Sequence, residues 1–185
     1  MLLEIIEDTT KGMQNSMHSL DVAFKKIRTG RATASLLDSI RVDYYDKPTP
    51  LSQVASISIE DAKTLAIVPW EKGVSQGIEK AISESDLGLN PAVAGDTIRV
   101  ILSDLTEETR RDFIKKAKAE AENAKVSIRN SRREGNSQLK EFLKDKEISL
   151  DEERQGEEEI QKLTDLYVSK VEVLLQAKET DLLDF

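Results

Sequence analysis

Four cations recur along one stretch of the sequence at spacings that would bring them together on a helix. At about 100° of rotation per residue, Arg132, Lys125, Arg129 and Arg133 lie about 40°, 60°, 100° and 140° from Ile128, on one flank beside an apolar seam. Three of them are arginines, whose planar guanidinium group suits phosphate oxygens. The pattern predicts an RNA-binding helix face. Pairing of the same cations with acids of a neighbouring helix is the alternative interpretation.

A second basic group closes the first predicted helix. Lys25, Lys26 and Arg28 are followed by Arg31, just past Gly30. Cations at a helix C-terminus are stabilised by the helix dipole whatever their function. These residues therefore predict a second RNA contact only in combination with the first group.

Patterns that would indicate an enzyme are weak. The single histidine, His18, has no Ser or Cys partner pattern, and Gly73 and Gly77 are not followed by the Lys-Ser/Thr of a phosphate-binding loop. The acids at 151–153 and 157–159 are better explained as a solvated helix start. Trp70, Tyr44 and Tyr45 suit core or edge positions of a β domain, not a base-stacking platform. We predict a binding protein with no catalytic residue, cofactor or metal.

Local charge supports this prediction although the whole chain is acidic. The net charge is −8, but residues 110–146 contain twelve Lys/Arg against six Asp/Glu, a net charge of +6, whereas residues 147–185 carry −8. Local potential, not total charge, decides what a surface attracts. With 34% charged and 4% aromatic residues, the composition is typical of long, charge-covered helices.

Three long helices and one β-rich insertion account for the periodicity. Residues 2–29 carry a heptad seam that ends before Gly30, a residue suited to a helix C′ position. Thr106 is a candidate N-cap for a helix to about Lys146, in which Gly135 predicts a close contact or a bend. Ser149 with Glu152 forms a capping box for a third helix. The first seam is formed by Leu3, Ile6, Met13, Met17, Leu20, Phe24 and Ile27.

The segment between the first two helices has a different pattern. Short β-branched or aromatic runs at 40–45, 54–59, 65–70 and 98–102 predict strands, and 75–85 predicts a helix that Gly88 and Pro91 end. We therefore predict an α+β fold: an antiparallel three-helix bundle (1–30 and 105–185) with an inserted β/α/β domain (31–104). Two chain crossings predict a hinge at Gly30, Arg31, Ser103, Asp104 and Leu105.

The N-terminal sequence and the hydropathy of the chain indicate where in the cell the protein is expected. Acids interrupt the apolar residues near the start, which argues against a signal or transit peptide. No apolar run approaches the roughly 20 residues that cross a bilayer. The expectation is a soluble cytoplasmic protein without a membrane partner.

Several segments together resemble the bacterial ribosome recycling factor family. The similarity starts at 26–32 (KIRTGRA) and continues in order over nearly the whole chain. Each piece alone is weak, but the ordered combination is specific. The matching segments are 26–32, 44–45, 48–51, 81–82, 85–91, 105–108, 129–130, 132–133 and 143–149.

The resemblance implies an elongated, L-shaped, tRNA-sized monomer that binds the large ribosomal subunit. With GTP-bound elongation factor G, such a factor splits post-termination ribosomes into subunits and releases mRNA, while hydrolysing nothing itself. Arg132, Arg129 and Arg133 match the family's ribosomal-RNA-contacting arginines, and Arg28 and Arg31 match its second basic group. Lys125 joins this predicted rRNA-binding set because it shares the flank.

The return to the bundle departs from the family pattern. Residues 101–104 (ILSD) contain no proline, and Thr109 delays the arginine pair to Arg110 and Arg111. Because proline fixes φ, its absence predicts a looser hinge here. Two other functions compete: a helical adaptor whose basic face is neutralised internally, and a hydrolase or metal enzyme that uses the acids of the third helix.

Overall fold

The computed structural model describes residues 2–183, and over that range the chain forms four α-helices and six β-strands. Along the chain, long helices precede and follow a β-rich middle segment, which confirms the predicted α+β class. In chain order the elements are α1 (Leu2–Lys25), β1 (Arg41–Tyr44), β2 (Lys47–Pro50), β3 (Ala55–Asp61), β4 (Thr64–Pro69), α2 (Ser75–Ser83), β5 (Asn90–Ala94), β6 (Thr97–Ile101), α3 (Glu107–Lys144) and α4 (Leu150–Leu183).

The chain divides into two compact units, each formed from segments distant in sequence. The first runs through Phe24 and resumes over Asp112–Thr180, and the second comprises Lys25–Arg111 with the end of the chain from Asp181. The sequence placed the domain boundaries at 30/31 and 104/105. Residues 1, 184 and 185 of the predicted bundle range lie outside the described residues.

Small residues bring α1, α3 and α4 close together in the first unit. A Cβ atom at Gly12 would lie 2.8 Å from Ser131 Oγ, and one at Gly135 would lie 2.9 Å from Ile160 Cδ1. The hydroxyl of Ser16 also donates to Ser127 Oγ at 2.8 Å. The close contact that the sequence predicted at Gly135 is confirmed.

The buried seam of α1 agrees with the prediction in its second half only. Met13, Leu20 and Phe24 are buried, but Leu3 is 75% exposed and Ile5 takes its place in the core. Small polar residues, Thr9 and Ser16, complete the seam where α1 meets α3. A seam traced through apolar residues alone misses them.

The predicted starts of α3 and α4 are confirmed, and the predicted end of α1 is wrong. The amide of Thr109 donates to Thr106 Oγ1 at 3.1 Å, so Thr106 is the N-cap of α3. Ser149 and Glu152 exchange the two bonds of a capping box at 2.7 and 3.3 Å. By contrast, α1 ends at Lys25, so Gly30 does not follow the helix directly.

The second unit contains two antiparallel sheets around α2. Strands β1 and β2 form a hairpin, and the four-stranded sheet has the order β3-β4-β6-β5. Helix α2 contacts β1 of the hairpin and β5 of the sheet. The core includes the fully buried side chains Val42, Leu65, Ile67, Ile78, Ile82, Ile98 and Val100.

Two strands were not predicted, and both contain proline. Strand β2 includes Pro48 and Pro50, and β5 includes Pro91. Pro91 was predicted to end the preceding helix and lies instead in a strand. Proline lacks the amide hydrogen of an inner strand but is accepted at edges, and β5 lies at the edge of its sheet. No helix in the described part is long and apolar enough to span a membrane.

Candidate nucleic-acid interface

Three arginines lie on the surface of α3 without a carboxylate partner. Arg129 and Arg133 are exposed and Arg132 is half-buried. Arg132 Nη1 donates to Gln161 Oε1 at 3.2 Å, and Arg133 Nη1 donates to Asn130 Oδ1 at 3.3 Å. Within residues 2–183, none of these three guanidinium groups forms an ion pair. We call Arg129, Arg132 and Arg133 the arginine cluster.

An open depression between α3 and α4 adjoins the cluster. Its lining combines cations with amides and a hydroxyl: Arg132, Arg133, Asn136, Ser137, Lys140 and Gln161. Lys140 Nζ is 3.5 Å from Glu157 Oε1, so part of its charge is compensated. Guanidinium groups bind phosphate oxygens with charge-assisted, frequently bidentate hydrogen bonds. This surface therefore has the chemistry needed to bind a phosphate backbone.

Lys125 does not share the exposure of the arginines. Its side chain is 10% exposed and forms ion pairs with Glu172 of α4 and with Glu122, the latter at 3.0 Å. Hydrogen bonds to Glu172 and then Glu122 raise the pKa of Lys125 above its ordinary value. Because the seam lies only about 60° away on the helix, this ammonium group faces α4. We leave Lys125 out of the proposed interface.

The second predicted basic group is divided between a buried and an exposed arginine. Arg28 is 8% exposed, and its Nη2 donates to the carbonyl oxygen of Ser103 at 2.8 Å. Burial lowers the pKa of Arg28 from its usual value. Arg31 is exposed, and its amide donates to Thr29 Oγ1 at 3.4 Å. Arg28 and Arg31 belong to the second compact unit, whereas the arginine cluster belongs to the first.

Residues at and beside the predicted hinge contact the turn between β3 and β4. The amide of Ala32, two residues past Gly30, donates to Ala62 O at 2.8 Å, and the amide of Leu102 donates to Lys63 O at 2.8 Å. Asp104 pairs with Lys63, which lowers the pKa of that carboxyl group. Gly30 and Leu105 are buried. Both connecting segments are therefore bonded to one turn of the second unit.

The single histidine and the aromatic residues singled out in the sequence are exposed or partly exposed. His18 is exposed on α1, and the part of the chain with described coordinates contains no group of three or more potential metal ligands. Trp70 is 66% and Tyr45 75% exposed. The hydroxyl of Tyr44 donates to Glu71 Oε1 at 2.9 Å, and this bond raises the pKa of Tyr44.

Four residues that line the site were not predicted from sequence, and of these Gln161 bonds to the arginine cluster. The four are Asn136, Ser137, Lys140 and Gln161. The carbonyl oxygen of Gln161 accepts from Arg132, and its Nε2 donates to Asp165 Oδ1 at 2.8 Å. Nothing in the local sequence marks this glutamine. Its role becomes visible only when the antiparallel register of α3 against α4 is known.

The fold and the site together define a class of binding protein: a helical bundle with a β-rich insertion, in which a cluster of arginines lies on one helix of the bundle. The ribosome recycling factor family profile matches residues 20–183. Ribosome-recycling factors of Marinomonas sp. (strain MWYL1) and Legionella pneumophila (strain Corby) are 53% and 54% identical over 184 residues, covering 100% of each chain.

Solved structures show the same similarity. A solution structure of a ribosome recycling factor has a TM-score of 0.82 at 35% identity, covering 100% of this chain and 98% of the other. A second match, at TM-score 0.70 and 39% identity over 99% of both chains, concerns the T. thermophilus factor with E. coli elongation factor G bound to the E. coli post-termination complex. The chain belongs to the ribosome recycling factor family, whose members are translation factors and not enzymes.

Proposed function

We propose that this protein recycles ribosomes after termination. It binds the large ribosomal subunit of the post-termination complex and, with elongation factor G and GTP, separates the subunits and frees the mRNA. Family membership over the full length supports this function. So does the family member matched above, which is described with elongation factor G on that complex.

The observation that carries the RNA contact is the arginine cluster. Three guanidinium groups on one helix remain without a carboxylate partner in the described chain, although α4 beside them is rich in acids. Unneutralised arginines retain their affinity for phosphate. The exposed Arg31 is a further candidate contact. Because Arg28 and Lys125 are buried, we do not propose them as RNA contacts.

The chemistry of this function is the exchange of non-covalent contacts. The bundle anchors on ribosomal RNA through charge-assisted hydrogen bonds, and the partner factor supplies the energy by hydrolysing GTP. The step that matters is loss of the contacts between subunits. No bond of the protein or of the RNA is broken, so no catalytic side chain is required.

A subunit-splitting assay tests the whole function. Purified post-termination ribosomes, elongation factor G and GTP are mixed with and without this protein, and light scattering reports the splitting. We expect splitting only when all components are present. Splitting that is independent of this protein or of elongation factor G would contradict the function.

Binding of purified large subunits tests the interface. Replacement of Arg132 by Ala should weaken binding about ten-fold or more, because hydrogen bonds to charged groups contribute about 1.5–3 kcal/mol. The slope of log affinity against log salt should fall by about one. Lys116→Ala, an exposed cation elsewhere on α3, is the matched control. Equal effects of both changes would favour a diffuse attraction or the adaptor alternative.

A further inference from the structure

Ion pairs that join α3 to α4 follow one antiparallel register. A step forward along α3 is matched by an equal step backward along α4, of seven residues between the first two pairs and of fifteen between the second and the last. The first two pairs are Lys118 with Glu179 at 3.2 Å and Lys125 with Glu172, and the last is Lys140 with Glu157 at 3.5 Å. The same register places Asp165 opposite Arg132.

The expected ion pair between Arg132 and Asp165 is absent from the described chain. An amide stands between the two side chains instead. Arg132 Nη1 donates to Gln161 Oε1 at 3.2 Å, and Gln161 Nε2 donates to Asp165 Oδ1 at 2.8 Å. One polar group thus satisfies the guanidinium on one side and the carboxylate on the other.

This arrangement has a consequence for the charge of Arg132. A carboxylate would neutralise the guanidinium group and hold it with charge-assisted hydrogen bonds. A neutral carbonyl oxygen fixes one N–H and leaves the positive charge uncompensated. A guanidinium group has five N–H donors, so the others can bind phosphate.

We propose that Gln161 is a positioning residue for RNA binding: it orients the guanidinium group of Arg132 and keeps the carboxylate of Asp165 from pairing with it. This inference rests on the proposed function, because Arg132 must itself contact RNA. Gln161 acts through Arg132 and needs no contact of its own with RNA.

Removing the amide should allow the ion pair to form. Gln161→Met keeps side-chain length and a similar helix propensity but neither donates nor accepts like an amide. Binding of purified large subunits at moderate salt should weaken about two- to five-fold, the range expected for an exposed ion pair that competes with RNA. Gln176→Met, an exposed glutamine on the same helix, is the matched control and should bind like the parent protein.

The decisive experiment asks whether a second substitution restores the binding affinity that Gln161→Met loses. Asp165→Asn removes the competing charge, so Gln161→Met with Asp165→Asn should recover most of the lost affinity. Asp165→Asn alone should strengthen binding by less than about three-fold, since a nearby negative charge is removed. Rescue means that Asp165→Asn strengthens binding more in the Gln161→Met background than in the parent protein, whereas a Gln161 that contacted RNA directly, or that only stabilised the bundle, would give equal gains in both. Absence of rescue, or unchanged binding by Gln161→Met, overturns the proposal.

A further variant separates this proposal from the proposed function. In the Arg132→Ala background, Gln161→Met should have no additional effect, because the side chain that it positions is missing. If Arg132→Ala alone leaves large-subunit binding unchanged, the RNA interface itself is wrong. If Arg132→Ala weakens binding but Gln161→Met weakens it equally in both backgrounds, only the role of Gln161 is wrong.

Discussion

The guanidinium group of Arg28 joins two segments that are 75 residues apart, donating from Nη2 to the carbonyl oxygen of Ser103 at 2.8 Å and to its hydroxyl at 3.2 Å. Its other terminal nitrogen, Nη1, is buried and has no hydrogen-bond partner within residues 2–183. These charge-assisted hydrogen bonds stabilise the contact between the two segments. Residues 101–104, which contain no proline, are therefore held by side-chain and backbone contacts.

Arg28→Ala should lower the free energy of unfolding by about 1–3 kcal/mol, because hydrogen bonds to a charged group contribute about that much. Amide hydrogen exchange at Leu102, which donates to Lys63 O, should become faster. Lys26→Ala, an exposed neighbour, is the control and should leave both quantities nearly unchanged. A large loss of RNA affinity without loss of stability would instead assign Arg28 to the RNA interface.

Lys125→Met should affect stability and not RNA binding. The lysine links α3 to α4 through Glu172, and its loss leaves two carboxylates near each other. We expect a loss of about 1–2 kcal/mol, less than the 3–5 kcal/mol of a fully buried pair, since Glu122 and Glu172 are 63% and 57% exposed. Chemical denaturation measures this loss.

The matching control for Lys125 is the exposed Lys144→Met, which should change stability little. Combining Lys125→Met with Glu172→Gln should restore part of the stability, since the unpaired charge is removed. The salt dependence of large-subunit binding should stay that of the parent protein. A slope reduced by about one would place Lys125 in the interface after all.

Much of this architecture could be predicted from sequence because local signals specify it. The caps at Thr106 and Ser149 and the close approach at Gly135 follow from residue type and spacing. The end of α1 could not, because Ile27 and Arg28 lie beyond the helix and are buried, and Arg28 bonds to Ser103, 75 residues away. Strands β2 and β5 escaped detection because proline in an edge strand resembles proline in a turn.

The arginines of the interface could be predicted from the sequence. Which cations of the same helix flank pair with acids instead could not. Helical spacing groups Lys125 with Arg129, Arg132 and Arg133, yet it cannot say which cation meets an acid of α4. That depends on the register between two helices, which pairs Lys125 with Glu172 and places Gln161 against Arg132. Such pairings are long-range and leave no periodic signal in either helix.

The capping box at the start of α4 should give a measurable pH dependence. Hydrogen bonds from the amide and hydroxyl of Ser149 lower the pKa of Glu152. A carboxyl group with a lowered pKa in the folded state contributes stability above its unfolded pKa of about 4.3, and loses it as pH falls through the folded value. Glu152→Gln should therefore be less stable than the parent at pH 7.

Comparing Glu152→Gln with the parent protein at low pH tests whether the charge of Glu152 is responsible. The difference in melting temperature between Glu152→Gln and the parent should shrink as pH falls below the unfolded pKa of about 4.3, because the carboxyl group of Glu152 is protonated first in the unfolded state and then, at lower pH, in the folded state. Glu158→Gln, on the same helix but outside the capping box, serves as the control for removing one charge. A difference that stays constant from pH 7 to pH 3 would show that the charge on Glu152 does not stabilise the cap.

Gly135→Ala tests how closely the helices of the first unit pack. The new Cβ would meet Thr9 Oγ1 of α1 and lie 2.9 Å from Ile160 Cδ1 of α4. Alanine gains about 1 kcal/mol of helix propensity over glycine, but overpacking costs about 1–3 kcal/mol. We expect net destabilisation of up to about 2 kcal/mol, measured by urea denaturation, whereas Gly73→Ala, with no atom within 4 Å of its Cβ, should be nearly neutral.

A compensating change identifies the cause of that destabilisation. Thr9→Ala removes the Oγ1 and Cγ2 atoms that the new Cβ would meet, leaving Ile160 Cδ1, the end of a flexible side chain. Thr9→Ala with Gly135→Ala should therefore be more stable than the sum of the single changes predicts. Strict additivity would mean that contact between the new Cβ and Thr9 is not the cause of the destabilisation.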